Sequence, residues 1–184
     1  MNLKKMIFRI FIKITRSPSK RARLIRSYMG VTMGVGCEIY DNVSFGSEPY
    51  LISIGNNVRI TKGVNLITHD GGVWVLRNSG IAPNSDIFGR IIIGNNVHIG
   101  INAIILPGIT IGDNVIVGVG AIVTKDVPSN CVVAGVPARI VRTLEDYFEK
   151  NKINIDYSKN LNYKEKEIYL MNKFNFTNRR GIEE

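Results

Sequence analysis

Between residues 93 and 128 an aliphatic residue recurs at every sixth position: Ile93, Ile99, Ile105, Ile111, Val117 and Val123. Four places after each stands another compact apolar side chain: Val97, Ala103, Ile109, Val115, Ala121 and Val127. A period of six is neither the 3.6 of an amphipathic helix nor the alternation of a half-buried strand. It fits a prism in which each hexapeptide supplies one flat strand and one corner, three hexapeptides close a coil, and coils stack at the β spacing of about 4.8 Å. Residues flanking an outward position, such as Val97 and Ile99 around His98, then point inward. Gly and Asn take the corners, where the backbone must be permissive.

The same register occurs earlier at Ile54, Ile60 and Leu66, with Val58 and Val64 as small partners. It then breaks. Ile54 and Ile93 are 39 positions apart where one coil of 18 would suffice, so 21 residues leave the prism, approximately Gly71 to Arg90. A vaguer repeat around Val35, Gly36 and Ile39 adds a first coil, offset by a residue near Pro49. The expected organisation is a basic arm over 1–30, an all-β parallel β-helix over 31–142 with an excursion loop over 71–90, and a helical or irregular tail over 143–184.

The net charge of +9 is local. Residues 1–30 hold nine of the 24 Lys and Arg and none of the 15 acids, which leaves the remainder neutral and argues against a nucleic-acid binder. Cys37 and Cys131 are far apart among apolar neighbours, poor material for a disulfide framework, and indicate a reducing, cytoplasmic setting. Arg9 and Lys13 interrupt any signal-peptide core, and no stretch is long and apolar enough for a membrane span.

This pattern resembles the hexapeptide-repeat acyltransferases over residues 31–142. The stretch VTKDVPSNCVVAGVPARIVR, residues 123–142, is similar to the end of the β-helix in the branch that acetylates sugar and polysaccharide hydroxyls. The resemblance implies a left-handed β-helix, an exception to right-handed crossovers, and a homotrimer, to which outward apolar residues such as Ile104, Ile116 and Ile122 lend support. It also implies acetyl-CoA as acyl donor, a carbohydrate acceptor from capsule, exopolysaccharide or lipopolysaccharide synthesis, and no metal.

His69 stands where the repeat fails. Asp70 occupies the slot held by Val58 and Val64, and the excursion begins immediately afterwards; rule-breaking of this kind tends to mark a functional site. In the family this corner, here ITHDGG, carries the general base. An imidazole, with an ordinary pKa near 6.5, can take a proton from the acceptor hydroxyl and return it to the thiolate, while a backbone N–H holds the oxyanion. Asp70 is adjacent in the chain and poorly placed to orient the ring, which leaves a backbone carbonyl as the expected partner. His98 sits at an outward position of a regular repeat and reads as a surface or interface residue.

The resemblance further places the donor along Gly100, Ile101, Val119 and Thr124, with Lys125, Arg139 and Arg142 as phosphate partners. Ile101 is larger than the usual residue there, which restricts it to a main-chain role. Arg139 and Arg142 could equally solvate the last coil. For the acceptor, Trp74 and Arg77 offer a flat apolar face and a forked donor; the alternative is that Trp74 anchors the loop on the prism or on a neighbouring subunit. Asn65 and Asp70 complete the acceptor candidates, Asn65 with a corner hydrogen-bond ladder as its alternative.

Residues 3–16 place Leu3, Met6, Ile7, Ile10, Phe11 and Ile14 on one side of a helix and Lys5, Arg9, Lys13 and Arg16 on the other. Such a helix suits peripheral contact with the inner face of a membrane, or a cap over the open end of the prism. Pro18 and Ser19 are expected to end it, with KRARLIR adding positive charge. Competing functions on this fold are an N-acetyltransferase for serine, an antibiotic or an amino sugar, a gamma-class carbonic anhydrase, for which two histidines are too few, and a scaffold without catalysis.

Overall fold

The computed structural model describes Phe8, Phe11, Ile12 and residues 14–176. It forms two compact units, one up to Tyr147 and one from Phe148 onward. Most of the basic side of the proposed 3–16 helix, including Lys5, Arg9 and Lys13, lies outside the described residues.

The first unit is a three-faced prism. Face A holds β1 (Thr32–Met33), β3 (Ile52–Ile54), β6 (Ile91–Ile93) and β9 (Thr110–Ile111). Face B holds β2 (Glu38–Ile39), β4 (Arg59–Ile60), β7 (His98–Ile99), β10 (Ile116–Val117), β12 (Cys131–Ala134) and β13 (Arg139–Thr143), and face C holds β5 (Asn65–Leu66), β8 (Ile104–Ile105) and β11 (Ile122–Val123). Every pairing is parallel except β12 with β13, a hairpin that closes the C-terminal end of face B. Partners in the regular part are 18 residues apart, as in Ile93 with Ile111, Ile99 with Val117 and Ile105 with Val123. The six-residue period therefore stacks like on like, and each of these side chains is buried in one continuous core.

Asparagine does at the corners what the sequence asks of it. Asn57, Asn96, Asn114 and Asn130 adopt positive φ, which other L-residues resist. Their amides also tie coils together: Asn96 Nδ2 donates to Asn114 Oδ1 at 2.8 Å, and Asn114 Nδ2 to Asn130 Oδ1 at 2.9 Å. A second ladder runs from Asn56 through Asn95 to Asp113.

Phe11, Ile12 and Ile14 are helical and that helix stops before Thr15, as expected, but Pro18 also begins a new one. Ser17 caps the N-terminus and Pro18 takes a first-turn position, where its missing N–H costs nothing, so that α1 (Pro18–Tyr28) contains the whole KRARLIR segment. Ala22 and Ile25 pack into the core. Arg21 turns inward and is buried: Nη1 donates to the Ile39 carbonyl at 2.9 Å and Nη2 pairs with Asp41. This helix lies against β2 and covers the end of the prism at its first coil, the role that the sequence allowed to the preceding segment.

The excursion is pinched at its base, where Asp70 N donates to Ile87 O and Gly89 N to Thr68 O. Within it α2 (Val73–Asn78) buries Val73 alone. After β13, α3 (Leu144–Asn151) follows directly. In the second unit α4 (Tyr163–Lys173) opens with a capping box between Asn162 and Glu165, and Asp156 accepts from Tyr169 and Lys173.

Candidate active site

His69 leaves β5 at the edge between faces C and A, where the antiparallel contact with Phe88 holds the returning chain against it. The Phe88 ring meets the imidazole edge-on with centroids 6.4 Å apart. The imidazole is 42% exposed, open to a substrate on one side.

On its other side stands Glu48, which no sequence motif marked. Glu48 Oε2 is 3.1 Å from His69 Nδ1 and accepts from the Thr68 hydroxyl at 2.7 Å. The partner of His69 is thus a carboxylate from the preceding coil, 21 residues upstream, rather than a backbone carbonyl. A carboxylate accepts only, so Nδ1 carries the ring proton and Nε2 presents a lone pair to the open side. The Thr68 hydroxyl, and after it the His69 ring, hold the Glu48 carboxyl below the usual carboxylate range. Glu48 is positioned by the turn Pro49–Leu51, in which Leu51 N donates to the Glu48 carbonyl. Gly46 permits the approach: a Cβ there would meet the Thr68 hydroxyl at 2.7 Å, and its φ is +64°.

The acceptor candidates surround this corner unequally. Asp70 is exposed, and its Oδ1 accepts from Gly72 N in a local turn. Asn65 lies on face C, where its amide donates to Gly63 O. Trp74 is largely exposed, so it does not anchor the loop on its own prism; Val73 does that. Arg77 departs from the reading of a free fork, because its Nη1 donates to Ser85 O at 2.6 Å and Asp86 Oδ1 at 2.7 Å and so closes the excursion on itself.

The donor candidates are divided between two edges and the end of face B. Gly100, Ile101 and Val119 occupy the edge between faces B and C; Thr124 and Lys125 lie on the C–A edge, two coils beyond His69. Gly100 is backed by the next coil so closely that a Cβ would meet Val119 N at 2.6 Å. Ile101 and Val119 are exposed in line with each other, joined by Gly120 N donating to Ile101 O. Arg139 and Arg142 sit on β13 at the end of face B. An apolar ridge with cations at its C-terminal end suits a long arm terminating in phosphates. His98 lies on face B in a groove of about 370 Å³, between Arg59 and Ile116 and well removed in topology from His69. Burial, and then the neighbouring Arg59 charge, hold the His98 pKa below its ordinary value. The two histidines therefore occupy different parts of the prism, His98 on face B and His69 on the C–A edge.

A prism of hexapeptide coils with a histidine at its one broken corner defines a class, and the chain belongs to it: residues 90–125 match the bacterial transferase hexapeptide (six repeats) model, and the protein is a member of the left-handed β-helix hexapeptide-repeat acyltransferases. Among its relatives, Protein CapG of Staphylococcus aureus is 51% identical over 168 residues, 90% of this chain and 95% of that protein. Galactoside O-acetyltransferase of Escherichia coli (strain K12) is 38% identical over 131 residues, 67% of this chain and 63% of that enzyme. A solved hexapeptide-repeat acetyltransferase of Vibrio cholerae O1 biovar eltor, complexed with acetyl coenzyme A, superposes with a TM-score of 0.58 at 26% identity, covering 76% of this chain and 84% of that one.

Proposed function

We propose that the protein is an acetyl-CoA-dependent O-acetyltransferase acting on a carbohydrate, with His69 as general base and Glu48 as the residue that orients it. The observation that carries this reading is the half-exposed imidazole whose Nδ1 is held by a carboxylate, which makes Nε2 the nitrogen available as base. Acetyl-CoA supplies the thioester. Nε2 takes the proton of the acceptor hydroxyl as its oxygen bonds to the acetyl carbon, the carbon–sulfur bond breaks, and Nε2 returns the proton to the thiolate. Glu48 steadies the imidazolium between these steps. The exposed ridge of Ile101 and Val119 would border the pantetheine arm from one prism, with Thr124 on the facing C–A edge of a neighbouring copy, and Lys125, Arg139 and Arg142 would meet the phosphates.

The His69 edge and the Gly100 edge belong to different sides of one prism, so a single chain does not enclose a site. Two neighbouring copies, each lending a different edge to a shared furrow, would do so, which favours a homotrimer with three such furrows. The acceptor is expected to meet Trp74, Asn65 and Asp70, in a saccharide destined for capsule, exopolysaccharide or lipopolysaccharide, and the setting is the cytoplasm. The test is release of free CoA from acetyl-CoA across sugars, small amines and polysaccharide. His69→Ala should lower turnover at least about 100-fold with the melting temperature and trimer mass unchanged; turnover within a few-fold of wild type refutes the assignment.

A further inference from the structure

The capped end of the prism carries a second feature that acetyl transfer does not use. In α1, Arg21 is turned inward and fixed, whereas Lys20, Arg23 and Arg26 are exposed, with Arg26 Nη1 also donating to Gly34 O at 3.5 Å. No acid occurs before Glu38, so nothing in this segment neutralises them. Arg23 and Arg26 border a groove of about 230 Å³ between α1 and the first coil, with Met33, Val35 and Cys37 along its other side. The segment before α1 lies alongside it: Ile12 packs on the core, Arg21 Nε donates to Ile12 O, and the Phe8 and Tyr28 rings are 5.3 Å apart. There Phe11 is 52% exposed, Ile14 65% and Tyr28 69%.

We propose that this end of the protein is a docking surface for an anionic lipid bilayer, with Lys20, Arg23 and Arg26 on the headgroup phosphates and Phe11, Ile14 and Tyr28 in the interfacial layer. The charges are preorganised, because the buried Arg21 anchors the helix that displays them, so docking costs little ordering. Cations flanked by exposed aromatic and aliphatic side chains match an anionic interface in both its charge and its apolar depth. A soluble polyanion would answer the cations alone and leave Ile14 in water. The inference stands apart from the acetyl-transfer reading, since it concerns a surface at the opposite end of the repeat from Arg139 and Arg142.

The test is flotation of the full chain with vesicles of 30% phosphatidylglycerol in phosphatidylcholine, with vesicles of phosphatidylcholine alone, and in the presence of inorganic phosphate or heparin. Wild type should float only with the anionic vesicles, and 0.5 M salt should release most of it. Each cation near an anionic leaflet strengthens binding about fivefold, so the triple variant Lys20→Gln, Arg23→Gln, Arg26→Gln should partition about 100-fold more weakly, with unchanged melting and CoA release. Ile14→Ser with Tyr28→Ser should weaken vesicle binding and leave heparin binding unaltered. Equal flotation of the triple variant, equal binding to neutral vesicles, displacement by millimolar phosphate, or retention on heparin without flotation would each overturn the proposal. Lipid binding is read without donor or acceptor, so its failure is separable from failure of the catalytic reading.

Discussion

Replacing Glu48 by Gln isolates the charge that faces His69. The amide oxygen of Gln can still accept from both the Thr68 hydroxyl and His69 Nδ1–H, so the ring keeps its orientation and tautomer and loses only the negative partner of the imidazolium. Exposure sets the size of the effect. A fully exposed pair contributes at most about a factor of five, whereas the amide replacement in a buried serine-protease triad costs about 10,000-fold in kcat, a ceiling because that loss includes a wrong ring tautomer. With the imidazole 42% and the Glu48 side chain 16% exposed, kcat should fall by about 10- to 100-fold, between those limits, and KM for either substrate should change little. The assay is thiol release at saturating donor and acceptor, with Glu48→Asp expected to retain more activity than Glu48→Gln. A kcat for Glu48→Gln within threefold of wild type would refute the dyad and leave His69 oriented by packing against Phe88. A stability readout accompanies it. The carboxyl is held below its unfolded value, so it contributes stability above about pH 4.3 that is lost as pH falls through the lower folded value. The gap in melting temperature between wild type and Glu48→Gln should accordingly close toward pH 3.

Three further outcomes follow from packing and burial. Arg21→Met removes the donor to the buried Ile39 carbonyl and should destabilise the prism by about 2 kcal/mol in urea unfolding, loosening α1. His98, with its folded pKa lowered by burial and by Arg59, resists protonation that the unfolded chain accepts, so stability present above about pH 6.5 is lost as pH falls below it; His98→Gln should flatten the melting temperature between pH 7.5 and 5. Gly100→Ala forces a Cβ against Val119 N, and calorimetry should show a loss of about 1–3 kcal/mol, together with a raised KM for acetyl-CoA.

The coils were legible because their physics is periodic: in the regular part an inward Ile or Val repeats the same contact 18 residues later, and the break at Asp70 is visible against that regularity. Glu48 was not legible. It lies in the first, offset coil near Pro49, where the hexapeptide register slips, and its closeness to His69 depends on a turn and on Gly46, neither of which has a period. A proline can close one helix and open the next, and the second role of Pro18 is signalled only by Ser17 before it, together with apolar Ala22 and Ile25 at helical spacing. Arg77 looked available because its partners, Ser85 and Asp86, lie across a loop whose closure no pattern announces. The edges carrying the donor candidates could be assigned from the repeat, but not how two copies bring them together, since nothing in a single chain's periodicity encodes its neighbour.

The asparagine columns along one corner carry a consequence for how such a chain can change over generations. Each amide finds its mate where the chain returns to the same corner one level up, after 18 residues from Asn96 to Asn114, 16 from Asn114 to Asn130 and 39 from Asn56 to Asn95, so an insertion at this corner itself would throw the rungs above it out of step. Growth by duplicating a complete turn leaves the rungs intact, and so does lengthening at a bend where the chain leaves and re-enters the stack at the same height, as it does between Thr68 and Gly89. The stack thus confines novelty to a few bends, and the one exploited here is the one that holds His69.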